Sequence, residues 1–172
     1  GAKLLGVLKF PGKLKPELAR RGSRLDRCVE PEIRYVYWNW LDPRMGGMGK
    51  AQIALRRALA MSYDVAAEIR VVLNGQAVEA AYPIPPGVVG HVPGWKSTLT
   101  YDPALANKLL DRFGYKRGAD GWRTWPDGSP MVITYASRPD TLGRQLEELA
   151  KKSYDAIGVR MASQRDRFPE LL

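Results

Sequence analysis

The sequence predicts an α/β domain, because helical and strand-like patterns alternate along the chain. Apolar residues recur at helical spacing within 47–75, 102–113 and 140–157. Bulky residues over 33–40 and a short apolar segment at 159–161 are instead typical of strands. Helices that alternate with strands pack on the faces of a sheet, and 172 residues are enough for one sizeable core.

The composition, 45% hydrophobic and 26% charged, is that of an ordinary globular domain. No apolar stretch approaches the roughly 20 residues that a membrane-spanning helix needs. Cys28 is the single cysteine, which excludes an internal disulfide and a cysteine-based metal cluster.

The net charge of +9 is concentrated near the N-terminus. Eight of the positive residues crowd the N-terminal segment: Lys9, Lys13, Lys15, Arg20, Arg21, Arg24, Arg27 and Arg34. Such a patch could meet nucleic acid, an anionic membrane or acidic solutes. Glu17, Asp26, Glu30 and Glu32 are interspersed, however, and no nucleic-acid-binding motif accompanies the patch. We interpret it as a solvated face and expect no nucleic-acid partner.

The segment Ile33 to Trp40, IRYVYWNW, predicts a strand. Both of its faces carry bulky residues, so we expect it to be covered on both sides, as part of the core. The alternative is that one face, with Tyr35, Tyr37 and Asn39, lines a ligand cleft.

Two tandem helices are predicted between Gly47 and Gly75. In the first, Ile53, Leu55, Ala58, Leu59 and Ser62 share one face, while Arg56 and Arg57 lie on another. The preceding GMGK is not a phosphate loop, because the sequence lacks the earlier glycine and the following Ser or Thr.

The second helix is expected to begin with Asp64 as its cap and to bury Val65, Ile69, Val72 and Leu73. It should stop at Asn74-Gly75, since glycine accepts the left-handed conformation that ends helices.

Four prolines and three glycines between Tyr82 and Thr100 predict an irregular loop. His91 in this loop is the only histidine, and we interpret it as a surface residue without a metal role.

The C-terminal half predicts a helix opened by Asp102-Pro103 and ended by Gly114. A hairpin of 122–125 against 131–136 should follow. Next comes a helix from Asp140 or Thr141 that Gly158 closes. Its inner face is predicted to hold Leu142, Leu146, Leu149, Ser153 and Ile157. Val159 to Met161 is predicted as a strand, and a further helix should begin near Asp166.

Several of these stretches together resemble the family 5 extracytoplasmic solute-binding proteins, the dipeptide and oligopeptide receptors of bacterial ABC importers. The resemblance runs from about Tyr35 to Leu172. Its segments are LRRALAMSYDVAAEI, LNGQAVEAAYPIPPG, YDPALANKLLDRFGY, DGSPMVITYAS and LEELAKKSYDAIGVRM.

The resemblance implies one lobe of a two-lobed periplasmic-binding-protein-like fold, a mixed sheet flanked by helices. Residues 33–172 would form most of the second lobe, truncated at its C-terminus, and 1–32 a linker or early lobe segment. The implied function is the substrate-binding component of an ABC importer that captures peptide or a related solute by closure of two lobes. Periplasmic or extracytoplasmic location and partnership with a membrane permease and its ATPase follow from the same resemblance. No export leader precedes these elements, so we expect the chain to be a piece of a longer receptor.

We expect solute contacts from Tyr35, Tyr37, Asn39 and Trp95, which combine broad faces with polar atoms. No catalytic residue, metal site or cofactor is expected, because the usual nucleophile–base pairs and ligand clusters are missing. Two other classes stay open: the solute-sensing lobe of a transcription regulator, and a basic nucleic-acid-binding domain.

Overall fold

The computed structural model describes residues 8–9 and 12–166. In chain order the elements are β1 (Leu8–Lys9), β2 (Lys13–Leu14), α1 (Pro16–Arg20), α2 (Lys50–Ser62), α3 (Val65–Ala67, continued by a π-helical turn over Glu68–Val72), α4 (Pro103–Arg112), β3 (Val132–Ser137), α5 (Thr141–Ala156) and β4 (Arg160–Arg165). The chain divides into two compact units. The first combines the residues up to Tyr35 with Val65–Thr98, and the second combines Val36–Asp64 with the residues from Leu99 onward.

The first unit contains the antiparallel pair β1–β2, the short helix α1 and the helix α3 with its π-helical turn. The predicted second helix of the 47–75 stretch is thus confirmed as a helical segment. It buries Ala67 and Val72, while Val65, Ile69 and Leu73 are half-buried. Asn74 and Gly75, with φ of 51° and 74°, end it in the left-handed region as predicted.

The second unit holds the main core. Helices α2, α4 and α5 bury apolar residues together with the parallel strands β3 and β4, which pair in register from Val132 with Arg160 to Ser137 with Arg165. The fully buried side chains of this core include Leu55, Leu59, Leu110, Met131, Ile157 and Val159. The α/β class predicted from the sequence is confirmed.

Two helix starts follow the predicted capping. The Asp102 carboxylate accepts a hydrogen bond from the Leu105 amide at 2.8 Å, with Pro103 in the first turn of α4. The Asp140 carboxylate accepts one from the Gly143 amide at 2.7 Å at the start of α5. Each cap satisfies one of the amides that have no partner inside a helix.

The predicted strand over Ile33 to Trp40 is wrong for the described part of the chain, where these residues form no strand. The expected burial on both faces is also wrong, since Tyr35 is 75% exposed and Tyr37 61%. Alternation of side chains indicates an extended backbone, but it does not show that a second strand lies beside it. A β-strand requires such a neighbour for its backbone hydrogen bonds.

The buried faces of α2 and α5 differ from the predicted ones, because each includes a charged residue. Arg56 is buried, not exposed beside Arg57. In α5 the buried line runs through Gly143, Glu147 and Ala150, whereas Leu146 and Leu149 are only half-buried. Periodicity scored on apolar residues cannot identify a charge that is buried because it is paired.

The predicted hairpin is confirmed near its turn, as far as Met131, whose amide donates to the Arg123 carbonyl oxygen at 3.1 Å. Trp125 donates its amide to the Ser129 carbonyl at 2.8 Å, and Thr124 bridges Pro130. Beyond the turn, β3 pairs with β4 in parallel. The helix predicted to begin near Asp166 lies outside the described residues. Within the described residues no helix is long and apolar enough to cross a membrane.

Candidate functional site

An open groove of about 450 Å³ lies in the first unit, between two non-helical segments. Its lining residues are Ile33, Arg34, Tyr35, Ala80, Ala81, Tyr82 and Pro83. The lining is mainly apolar, with two tyrosines and one guanidinium. Such a surface suits a ligand with an apolar body and a few hydrogen-bonding groups.

Tyr82 joins this groove to the Pro-rich loop. Its ring centroid is 5.6 Å from that of Trp95 and 6.2 Å from that of His91. The His91 Nδ1 lies 2.7 Å from the Ile84 carbonyl oxygen, so the Nδ1–H donates to it. His91 thus lies in the loop as predicted, but it is half-buried, and its hydrogen bond ties two parts of the loop together.

The four predicted site residues divide between the two units. Tyr35 lines the groove of the first unit, and Trp95 in the same unit packs on Tyr82. Tyr37 and Asn39 belong to the second unit, and both are exposed. The Asn39 Oδ1 accepts a hydrogen bond from the Leu41 amide at 3.0 Å, which starts the loop that leads to α2. The solute role of all four residues stays a prediction.

Arg56 fixes that loop from inside the second unit. Its guanidinium donates to the carbonyl oxygens of Met45 and, at 2.8 Å, of Gly47. It also lies 4.3 Å from the centroid of the Trp40 ring. A Cβ at Gly46 would come 2.2 Å from the Trp40 carbonyl oxygen, so the loop closes on itself where only glycine fits.

A second buried guanidinium joins the helices of the core. Arg123 is 1% exposed. It donates to Ile157 O at 2.7 Å, to Asp111 Oδ1 at 2.6 Å, to Asn107 Oδ1 at 2.7 Å and to Tyr115 O. Each nitrogen of the guanidinium thus has an acceptor, which is the condition for burying a charge.

Glu147 is the corresponding buried carboxylate, at the C-terminal ends of β3 and β4. Ser137 and Ser163 donate to it at 3.1 and 2.6 Å, and Arg165 binds both of its oxygens at 2.9 and 2.7 Å. The Arg165 hydrogen bonds, with those of the serines, lower the pKa of Glu147 from 4.5 to about 2. The carboxylate therefore remains ionised at neutral pH and ties α5 to both strands.

Sequence reasoning missed Ile33, Arg34 and residues 80–82 as groove residues. Tyr82 begins the Pro-rich loop, which is a signal that could have identified it. No local sequence pattern, however, indicates that Tyr82 lies near residues 33–35. Among residues 8–9 and 12–166, no group of three or more His, Cys, Asp and Glu side chains is placed to hold a metal ion.

Several solved structures superpose on this chain. The chain superposes on NikA from Brucella suis in complex with Fe(III)-EDTA with a TM-score of 0.58 and 25% identity, covering 69% of the chain and 24% of NikA. It matches AppA from Bacillus subtilis in complex with a nonapeptide with a TM-score of 0.68 and 20% identity. This match covers 78% of the chain and 26% of AppA. It matches NikZ from Campylobacter jejuni in complex with Ni(L-His) with a TM-score of 0.56 and 23% identity. This match covers 67% of the chain and 23% of NikZ. The chain thus spans about a quarter of the length of these proteins.

The model of the bacterial extracellular solute-binding proteins, family 5 Middle, matches residues 30–168. This chain belongs to that family. No curated protein sequence matches the chain. Family and neighbours are binding proteins, and the ligands named for the neighbours are a peptide and two metal chelates.

Proposed function

We propose that these residues act within a longer, two-lobed receptor that captures a peptide for an ABC importer. The family match over residues 30–168 is the observation that carries the proposal. In this proposal, residues 33–172 belong to one lobe, and the solute is enclosed when the lobes close. Closure shifts the receptor towards the form that a membrane permease and its ATPase accept.

The chemistry of the exposed surface supports capture without catalysis. A receptor needs shape, apolar area and a few hydrogen-bonding groups, which the groove at Tyr35 and Tyr82 supplies. Bonds are neither made nor broken in this proposal, and the receptor works outside the cytoplasm, as its family does.

A peptide suits the groove better than a small metal chelate. An extended peptide presents apolar side chains beside backbone amides, and aromatic rings with a polar atom contact both. Tyr35 and Trp95 offer such rings, and Arg34 offers donors for peptide carbonyls.

The test is titration calorimetry on a receptor that contains this chain, with three probes: a pooled set of synthetic nonapeptides, Fe(III)-EDTA and Ni(L-His). We expect saturable binding of the peptide pool. Tyr35→Ala and Trp95→Ala should each weaken peptide binding by about 1–2 kcal/mol, or about fivefold to thirtyfold. Tyr37→Ala and Asn39→Ala should also weaken binding more than they lower the melting temperature.

Tyr101→Ala is the matched control, because Tyr101 and Trp95 are both 56% exposed, whereas Trp95 packs on the groove residue Tyr82 and Tyr101 belongs to the second unit. It should leave peptide affinity unchanged. Binding of a chelate but not of peptides would contradict the solute class, and tight peptide binding by the 172 residues alone would contradict the two-lobe account. A salt-dependent gel shift with DNA would instead favour the nucleic-acid alternative.

A further inference from the structure

The second unit has a shallow pocket of about 220 Å³, which shares no lining residue with the groove of the first unit. At about 30 Å³ for each water molecule, it has room for roughly seven waters, or one ligand close to the size of a single amino acid. Drug-sized ligands need larger pockets. The volume therefore restricts the occupant to a small molecule.

The floor of the pocket is aromatic and fixed. The rings of Tyr115 and Trp125 meet edge to face with centroids 6.2 Å apart. The Tyr115 hydroxyl donates to the Ala51 carbonyl oxygen at 3.1 Å, and burial raises the pKa of this phenol, so the ring stays neutral. Tyr115 and Trp125 are only 2% and 7% exposed, so an apolar group of a ligand reaches the small exposed part of Trp125 beside Pro126.

The rim carries opposite charges, Arg44 and Asp127, that Ser129 orients. Arg44 Nη1 donates to Ser129 Oγ at 2.9 Å, and the guanidinium lies 5.0 Å from the Trp125 ring centroid. Asp127 Oδ1 accepts hydrogen bonds from the Ser129 amide and hydroxyl at 2.9 and 2.6 Å. Both charged groups are thus held in place before any ligand arrives.

The two charges form an ion pair, but not a tight one. Arg44 Nη2 and Asp127 Oδ2 are 3.4 Å apart, which is longer than the 2.7–2.9 Å typical of a charge-assisted hydrogen bond. The same unit holds a similar trio, Arg160, Asp120 and Trp122, in which the Arg–Asp distance is 2.8 Å. Only the first trio borders the 220 Å³ pocket.

We propose that this pocket binds a free α-amino acid with a compact apolar side chain. The ligand carboxylate accepts hydrogen bonds from Arg44, its ammonium group donates to Asp127, and its side chain lies beside Pro126 and the exposed part of Trp125. A zwitterion matches the rim because it carries the same two charges at a similar spacing with opposite orientation. A simple anion or cation would satisfy one rim charge and be repelled by the other.

The site goes beyond solute capture, and its test does not depend on the proposed function. Exposed ion pairs contribute little, so we expect a dissociation constant in the millimolar range. The probe is L-leucine, added to the isotopically labelled 172-residue chain and followed by the NMR shift of the Trp125 indole N–H. Two analogues isolate each charge: 4-methylpentanoate lacks the ammonium group, and 3-methylbutylamine lacks the carboxylate.

We expect saturable shifts with L-leucine and at least about threefold weaker binding of either analogue. Arg44→Gln and Asp127→Asn should each weaken L-leucine binding by about threefold to fivefold, while Arg160→Gln should leave it unchanged. Asp127→Asn retains an oxygen that can accept the hydrogen bonds from Ser129, so the turn should persist. Weaker binding by this variant would then reflect the lost charge. Equal affinity for all three probes, unchanged binding by Arg44→Gln, or no saturable shift with L-leucine would each overturn the proposal.

Discussion

Replacing Glu147 by glutamine should make the chain less stable at neutral pH but not in strong acid. The carboxylate is 8% exposed and accepts four hydrogen bonds, two of them from Arg165. Glutamine has about the same shape, but its amide group would turn donors towards the donors of Arg165. It also leaves the guanidinium without its counter-charge.

The pKa of Glu147 sets the size and the pH range of the effect. A carboxylate whose pKa falls from 4.5 to about 2 on folding stabilises the native state above pH 4.5 and loses that stabilisation as pH falls towards 2. The shift corresponds to at most about 3 kcal/mol. Arg165 is 48% exposed, so solvent screens the pair, and we expect about 1–2 kcal/mol.

Urea unfolding of the parent chain and of Glu147→Gln, at several pH values between 7 and 2, measures this difference directly. With a slope of about 2 kcal/mol per molar urea, the midpoints should differ by about 0.5–1 M at pH 7 and converge near pH 2. Glu148→Gln is the control, because Glu148 is exposed on the same helix and should change the midpoint little at any pH. Parallel pH profiles for the parent and Glu147→Gln would refute the reasoning.

The two buried arginines lead to further predictions. Arg123→Met leaves at least three core acceptors without a donor and should lower the free energy of unfolding by about 3–5 kcal/mol. The control is Arg117→Met at a more exposed position, which should lower the free energy of unfolding by less than about 1 kcal/mol. Equal losses for the two variants in urea unfolding would contradict the prediction. Arg56→Met should cost about 2–3 kcal/mol, because two loop carbonyls and the Trp40 ring lose their partner. Its neighbour Arg57→Met should stay within about 0.5 kcal/mol, and an equal loss of stability in both would show that the burial of Arg56 does not matter.

Sequence reasoning succeeded where the physical cause is local. A capping carboxylate bonds an amide three residues ahead, so Asp102 and Asp140 identify helix starts without knowledge of the rest of the fold. Glycine after the last turn works in the same way: Gly114 and Gly158 adopt φ of 86° and 76° directly after α4 and α5. These causes involve only neighbouring residues.

The errors share a different cause, which is that burial depends on partners far along the chain. Arg56 and Arg57 are chemically identical and adjacent, but the Met45 and Gly47 carbonyls and the Trp40 ring all contact Arg56, which is the buried one. Glu147 is buried because Ser137, Ser163 and Arg165 converge on it from two strands. No periodic pattern on α5 reports those partners.

The candidate groove likewise depends on residues that are far apart in the sequence. Tyr35 was predicted as a solute contact from its chemical type alone, and it does line a concave surface. The opposite wall, Ala80 to Pro83, lies some 45 residues further along the chain, so neither segment indicates a groove by itself. A pocket forms when distant segments are held side by side, and in this unit Tyr82 contributes to that by packing on Trp95 and His91. The loop beyond Tyr82 should therefore affect solute affinity through the position of the Tyr82 ring, even at residues that touch no solute.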